Sequence, residues 1–131
     1  MTSGTELARA ASALVGVPFL LHGRDPRIGL DCVGVLAVTL EETARLPNGY
    51  RMRGGDRDNA ARLAATLGLE PAHGLPAAGD VLLLKPGPCQ HHLAIALDAE
   101  TIVHAHAGLR RVARTPLPVE WPILGHWRLH S

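Results

Sequence analysis

An excess of charge of either sign is missing from this chain. Thirteen Lys plus Arg stand against twelve Asp plus Glu, a formal net charge of +1. That balance removes the electrostatic case for nucleic acid or an anionic membrane as partner. Twelve of the cations are Arg and only Lys85 is lysine, a bias that speaks of coding composition more than of function. No apolar run approaches the roughly 20 residues that cross a bilayer as a helix. The opening MTSGTELARAAS has an acidic residue and no basic stretch ahead of an apolar one, so no secretion signal is legible. Two cysteines, Cys32 and Cys89, are too few for a disulfide scaffold. Neither G-x-G-x-x-G nor G-x-x-x-x-G-K-[ST] occurs, so no phosphate-cradling loop and no cofactor is expected. Aromatic residues number four, and internal repeats, low-complexity tracts and interdomain linkers are missing as well. A length of 131 residues fits one domain spanning positions 1–131.

What is present is a 47% hydrophobic composition and eight histidines. The pattern changes period halfway along. Residues 5–15 place Leu7, Ala11, Leu14 and Val15 on one side at helical spacing, with Thr5 as N-cap and Gly16 and Pro18 as the stop. Residues 19–30, with two Gly and a Pro, read as a surface loop. Residues 31–46 are apolar to Thr39 and charged after it, which predicts a helix capped by Asp31 and half buried. A further helix is expected over 58–68, closed by Gly68, followed by turn chemistry over 71–79. From there short runs at 80–85, 92–97, 100–105, 109–115 and 123–129 are separated by Gly, Pro or Asp and read as an antiparallel meander of five strands. Helices first and strands second describe an α+β domain.

Three places in this layout can carry chemistry. Cys32 lies at the start of the second helix, where unpaired N–H groups and the helix dipole favour thiolate, the reactive form of cysteine. Its alternative is a buried, inert thiol among valines. His91 and His92 open the strand HLAIAL; alternation puts His92 with Ala94 and Ala96, and His91 with Leu93 and Ile95. His92 is the better placed for a role and His91 the more solvated. His104 and His106 share a face of the next strand. Counting from the turn at Asp98–Glu100, Leu97 faces Thr101 and His92 faces His106, or approaches His104 with a bulge, so both remain open. A cysteine nucleophile needs an imidazole in reach and a polar group that orients it. Zinc could instead use Cys89, His91, His92, His104 and His106, but no pair has the usual ligand spacing and no metal is expected.

In their order along the chain these residues resemble a known signature. Gly16-Val17-Pro18-Phe19, His22-Gly23 and Gly29-Leu30-Asp31-Cys32-Val33-Gly34 are similar to the G-x-P-Y…G-G…DCSG blocks of NlpC/P60 cell-wall cysteine peptidases. Ala78-Gly79-Asp80-Val81-Leu82-Leu83 is similar to their P-G-D-L-x-F strand opening, His92–Leu97 to H-V-G-I-Y-L, and Ile102-Val103-His104-Ala105 to x-I-H-A. The resemblance runs from about residue 5 to 129, and its wording is nearest the short members associated with phage and gene-transfer-agent tails.

It implies a papain-like α+β fold with Cys32 as nucleophile, His92 as general base and His104, rather than His106, as the orienting residue. Phe19, His22, Asp31, His91 and His106 complete the implied substrate-contacting set. The implied substrate is a peptidoglycan stem peptide cut after a γ-linked D-glutamyl residue, with phage tail proteins as possible partners. A tail-delivered enzyme needs no secretion signal, so it would be cytoplasmic until released or carried in a virion. The chain departs from the signature at Val33 for Ser, Phe19 for Tyr and His22 for the first Gly. These departures motivate a rival reading, a binding or tail-structural module without turnover. An amidase or acyltransferase of the same papain-like group shares the Cys-His core and is the remaining alternative.

Overall fold

In the computed structural model, which describes residues 3–41, 57–87 and 90–129, the first helix, α1, spans Gly4–Ser12. Ser3 caps it instead of the expected Thr5: the Ser3 hydroxyl accepts the Glu6 N–H and the Glu6 carboxylate accepts the Ser3 N–H. Such a reciprocal pair needs an acid three residues beyond the cap, and Thr5 has Ala8 there. Leu7, Ala8 and Ala11 turn inward, but Val15, past the helix end, is 44% exposed. The segment read as a loop contains a small ribbon, β1 (Arg24–Asp25) paired with β2 (Gly29–Leu30).

The second helix, α2, spans Cys32–Thr39. It is buried along nearly its whole length, as a helix apolar on all sides must be. Its expected extension to residue 46 is cut short: Leu40 is the C-cap and Glu41 takes a left-handed φ of 58°. Positions 42–46 lie outside the described residues. The third helix, α3, spans Arg57–Thr66, with Gly68 at φ 78° behind it.

Among the described residues the main sheet has six strands where five were expected. Strands β4 (Val81–Gly87), β5 (Gln90–Ala96), β6 (Thr101–His106) and β7 (Arg111–Pro116) form the expected antiparallel meander. β8 (Ile123–Leu129) then returns to lie between β4 and β3 (Leu69–Pro71). β3 hides from pattern reading because it is three residues long and ends in proline, which only an edge strand tolerates. Val81, Leu83, Leu93, Ile95, Val103 and Val112 join residues of α1, α2 and α3 in the main core. On the other side of the alternation Leu82, Leu84, Ala94, Ala96 and Ile102 form a second cluster beneath Leu117 and Trp121.

Asp80, immediately before β4, ties the central strands together. It is fully buried. Arg128 on β8 donates to both its oxygens at 2.8 Å, His126 Nε2 donates at 2.6 Å and the Ala77 N–H at 2.9 Å. Burial alone would raise its pKa, but Arg128, the Ala77 N–H and His126 outweigh it and hold the carboxyl below its ordinary value. Asp80→Asn is expected to lower stability by about 2–3 kcal/mol, below the full cost of breaking a buried pair because Arg128 is half exposed. A group with a depressed folded pKa stabilises above the ordinary carboxylate range and loses that contribution as pH falls through it. Urea titrations of wild type and variant should therefore converge as pH falls below the ordinary carboxylate range.

Candidate active site

The start of α2 is braced before any chemistry is considered. Asp31, its N-cap, accepts the Gly34 N–H at 2.8 Å, the His22 N–H at 2.8 Å and an Arg24 guanidinium N–H at 2.8 Å. One carboxylate thus holds both the helix end and the turn of chain that faces it. The two come this close because both are glycine at the contact. A Cβ on Gly34 would collide with the carbonyl oxygen of Gly23, and one on Gly23 with that of Gly29. His22 sits in this turn at φ 63°, a left-handed conformation that histidine enters more readily than most side chains.

A cavity of about 550 Å³ opens beside this brace. All eight residues singled out in the sequence border it: Phe19, His22, Asp31, Cys32, His91, His92, His104 and His106. They do so in different ways. Cys32 is the first residue of α2 and is partly exposed. Asp31 is 6% exposed with its carboxylate committed to the brace, so it acts on a ligand only through the groups it holds. His91 is half buried, and its Nδ1 has no hydrogen-bond partner among the described residues. Cys89 lies outside the described residues, and among them no cluster of His, Cys, Asp or Glu has the arrangement of a metal site.

Strands β5 and β6 bring the two central histidines together diagonally. Their register pairs Ile95 with Val103 and Ala96 with Ile102, which is the first of the two alignments counted from the turn. Continued outward it would set His92 opposite His106. The ring of His92 leans instead across the diagonal, and its Nε2 lies 2.8 Å from Nδ1 of His104. His104, 2% exposed, has its Nε2 2.9 Å from the Thr115 hydroxyl. His106, its ring centroid 5.3 Å from that of His104, accepts the Leu109 N–H at 3.1 Å. Trp121 stands edge-on to both central rings, with centroids 6.2 Å from His92 and 6.0 Å from His104. Neither Thr115 nor Trp121 stands out in the sequence. Thr115 was legible in principle as the hydroxyl-bearing member of the alternating 111-113-115 face of β7, but Trp121 lies outside any regular element.

Electrostatics keeps these groups neutral. Burial pushes the Cys32 thiol up to about 11; the Leu93 N–H opposes this, the Asp31 carboxylate adds to it, and the Val33 N–H and Arg24 oppose it. The expectation that the helix start lowers the thiol pKa is thereby reversed, because enclosure and an adjacent carboxylate outweigh the N–H groups. Burial also brings His92 down to about 3, assisted by the charges that His104 and His106 would carry, and His104 down to about 4, assisted by His106.

Solved structures share this architecture. The crystal structure of the NlpC/p60 domain of the peptidoglycan hydrolase SagA matches with a TM-score of 0.65 at 23% identity, covering 99% of this chain and 100% of that one. NlpC1 and NlpC2 from Trichomonas vaginalis match with TM-scores of 0.67 and 0.64, each at 15% identity. They cover 95% and 100% of this chain, which spans 44% and 49% of theirs. No protein-family model and no curated protein matches. The fold is that of the NlpC/P60 domains, papain-like and α+β.

Depressed histidine pKa values carry a signature in stability. The folded chain refuses protons that the unfolded chain accepts near pH 6.5, so the contribution is complete above that value and is lost as pH falls toward 4 and then 3. The urea midpoint of the wild type should fall across this window. In His104→Gln the slope should be shallower by up to one proton.

Proposed function

We propose that the chain is a peptidoglycan stem-peptide hydrolase, a cysteine peptidase with Cys32 as nucleophile, His92 as general base and His104 as the orienting residue. The observation that carries this reading is the 2.8 Å hydrogen bond between His92 Nε2 and His104 Nδ1 in the same cavity that Cys32 borders. With Nε2 committed to His104, Nδ1 of His92 is the nitrogen left to serve the sulfur. The likeness to a domain of the peptidoglycan hydrolase SagA supports peptidoglycan as substrate.

The raised thiol pKa and lowered imidazole pKa describe a resting pair of neutral groups. The proton therefore moves from Cys32 to His92 as sulfur attacks the scissile carbonyl, in general-base fashion. The imidazolium returns that proton to the leaving amine as the C–N bond breaks, leaving a thioester on Cys32. His92 then takes a proton from water, whose oxygen attacks the thioester, and the carboxylic product departs as the thiol is restored. The finer reading is cleavage after a γ-linked D-glutamyl residue, which rests on the family resemblance as a whole and on no particular residue, by a tail-associated protein of a phage or gene-transfer agent, supported by the wording of residues 22–34.

A second reading, a peptidoglycan-binding module without turnover, draws on the same raised thiol together with Val33 and Phe19. Mass spectrometry of digests of purified sacculi and defined muropeptides separates the two. The hydrolase reading expects stem-peptide fragments from the wild type. It expects none from Cys32→Ala or His92→Ala with the circular dichroism unchanged, and a partial loss in His104→Ala, where water can replace some of the orienting contact. Retention on sacculi without fragments from the wild type favours the binding module. Fragments from Cys32→Ala remove the thiol from the reaction.

A further inference from the structure

The hydrogen-bonded line that begins at His92 does not stop at His104. It continues to Thr115 on β7, whose hydroxyl is 2.9 Å from His104 Nε2. A neutral imidazole has one N–H and one lone pair, so the direction of one of its hydrogen bonds dictates the direction of the other. His104 is 2% exposed, and a nitrogen buried this deeply must find its partner in the protein.

Two arrangements are open to the line. In the first, His92 carries its hydrogen on Nε2 and donates to Nδ1 of His104. His104 then carries its own on Nε2 and donates to the Thr115 hydroxyl oxygen, and Nδ1 of His92 keeps a lone pair. In the second every direction is reversed: the hydroxyl donates to His104, His104 donates to His92, and Nδ1 of His92 is protonated. Only the first leaves the lone pair on Nδ1 of His92 that the proposed reaction needs.

We propose that Thr115 is a positioning residue that sustains the base-competent tautomer of His92 by accepting the Nε2–H of His104. The inference rests on the proposed cysteine-hydrolase reading for its consequence in turnover, though the tautomers themselves do not depend on turnover. Without the hydroxyl, the first arrangement would bury the Nε2–H of His104 with no acceptor. The second would leave a bare lone pair there and so becomes the favoured state. His106 offers no substitute acceptor, since a neutral ring whose Nδ1 accepts the Leu109 N–H carries its own hydrogen on Nε2.

The test pairs Thr115→Val, near in shape and lacking the hydroxyl, with Thr115→Ser, which keeps it. Imidazole ¹⁵N spectra at neutral pH should show Nε2–H at both His92 and His104 in wild type and Thr115→Ser, and Nδ1–H at both in Thr115→Val. On defined muropeptides Thr115→Val should lose about tenfold to a hundredfold in kcat, with KM little changed, and Thr115→Ser should recover most of it. Nδ1–H at His92 in the wild type overturns the proposal without any variant. So do unchanged tautomers in Thr115→Val, even where kcat falls, because that would be a structural effect alone. Hydrolysis that survives Cys32→Ala while the tautomers behave as stated defeats the cysteine-hydrolase reading and leaves Thr115's role intact.

Discussion

The Asp31 carboxylate is the constraint from which the site is built. It receives the N–H of Gly34 inside α2, the N–H of His22 across the gap and the guanidinium of Arg24 from β1. An ionised carboxylate in so little solvent is tolerable only when its lone pairs are met, and here they are. The arrangement ties the first turn of α2, which begins at Cys32, to the facing chain. Without the close approach of Gly23 and Gly34 the same carboxylate could not reach both sides.

The same enclosure that positions the sulfur also makes it a weak acid, and this shapes the chemistry available. Buried imidazoles beside one another cannot all accept protons, because each new positive charge would face its neighbours without water between them. The thiol is held neutral by related physics, with a carboxylate one residue away. A site of this kind starts from uncharged partners and develops charge only as bonds change. Trp121 stands edge-on to both rings and gives them an apolar neighbour.

Much of this was legible in the sequence where local chemistry decided the outcome. Asp31 reads as a cap because a short acid precedes an apolar run, and the α2 helix follows from it. Cys32 and His92 stand out because reactive side chains sit near element starts, whereas His104 was separated from His106 only by the family resemblance. Long-range geometry is where pattern reading ended. The diagonal lean of His92 toward His104 depends on side-chain packing across a register that counting alone left open. The third member of that line, Thr115, lies on a strand that alternation describes but whose partner it does not name. The pKa of Cys32 was misjudged because the helix start is visible in one dimension and the burial around it is not. Likewise β3 was missed, since it exists only because β8 offers it an edge.

The place of β8 in the sheet has a consequence for how the chain reaches its final form. β8 follows the other seven described strands in the sequence, yet it lies between β3 and β4, and Asp80 waits for Arg128 and His126, both supplied by it. Contacts spanning more than forty residues slow the search for the native state. A nascent chain that has emerged only as far as the meander has Asp80 without its cations and the edge of β4 without its partner. Cooperative closure of the sheet therefore waits for synthesis through residue 129.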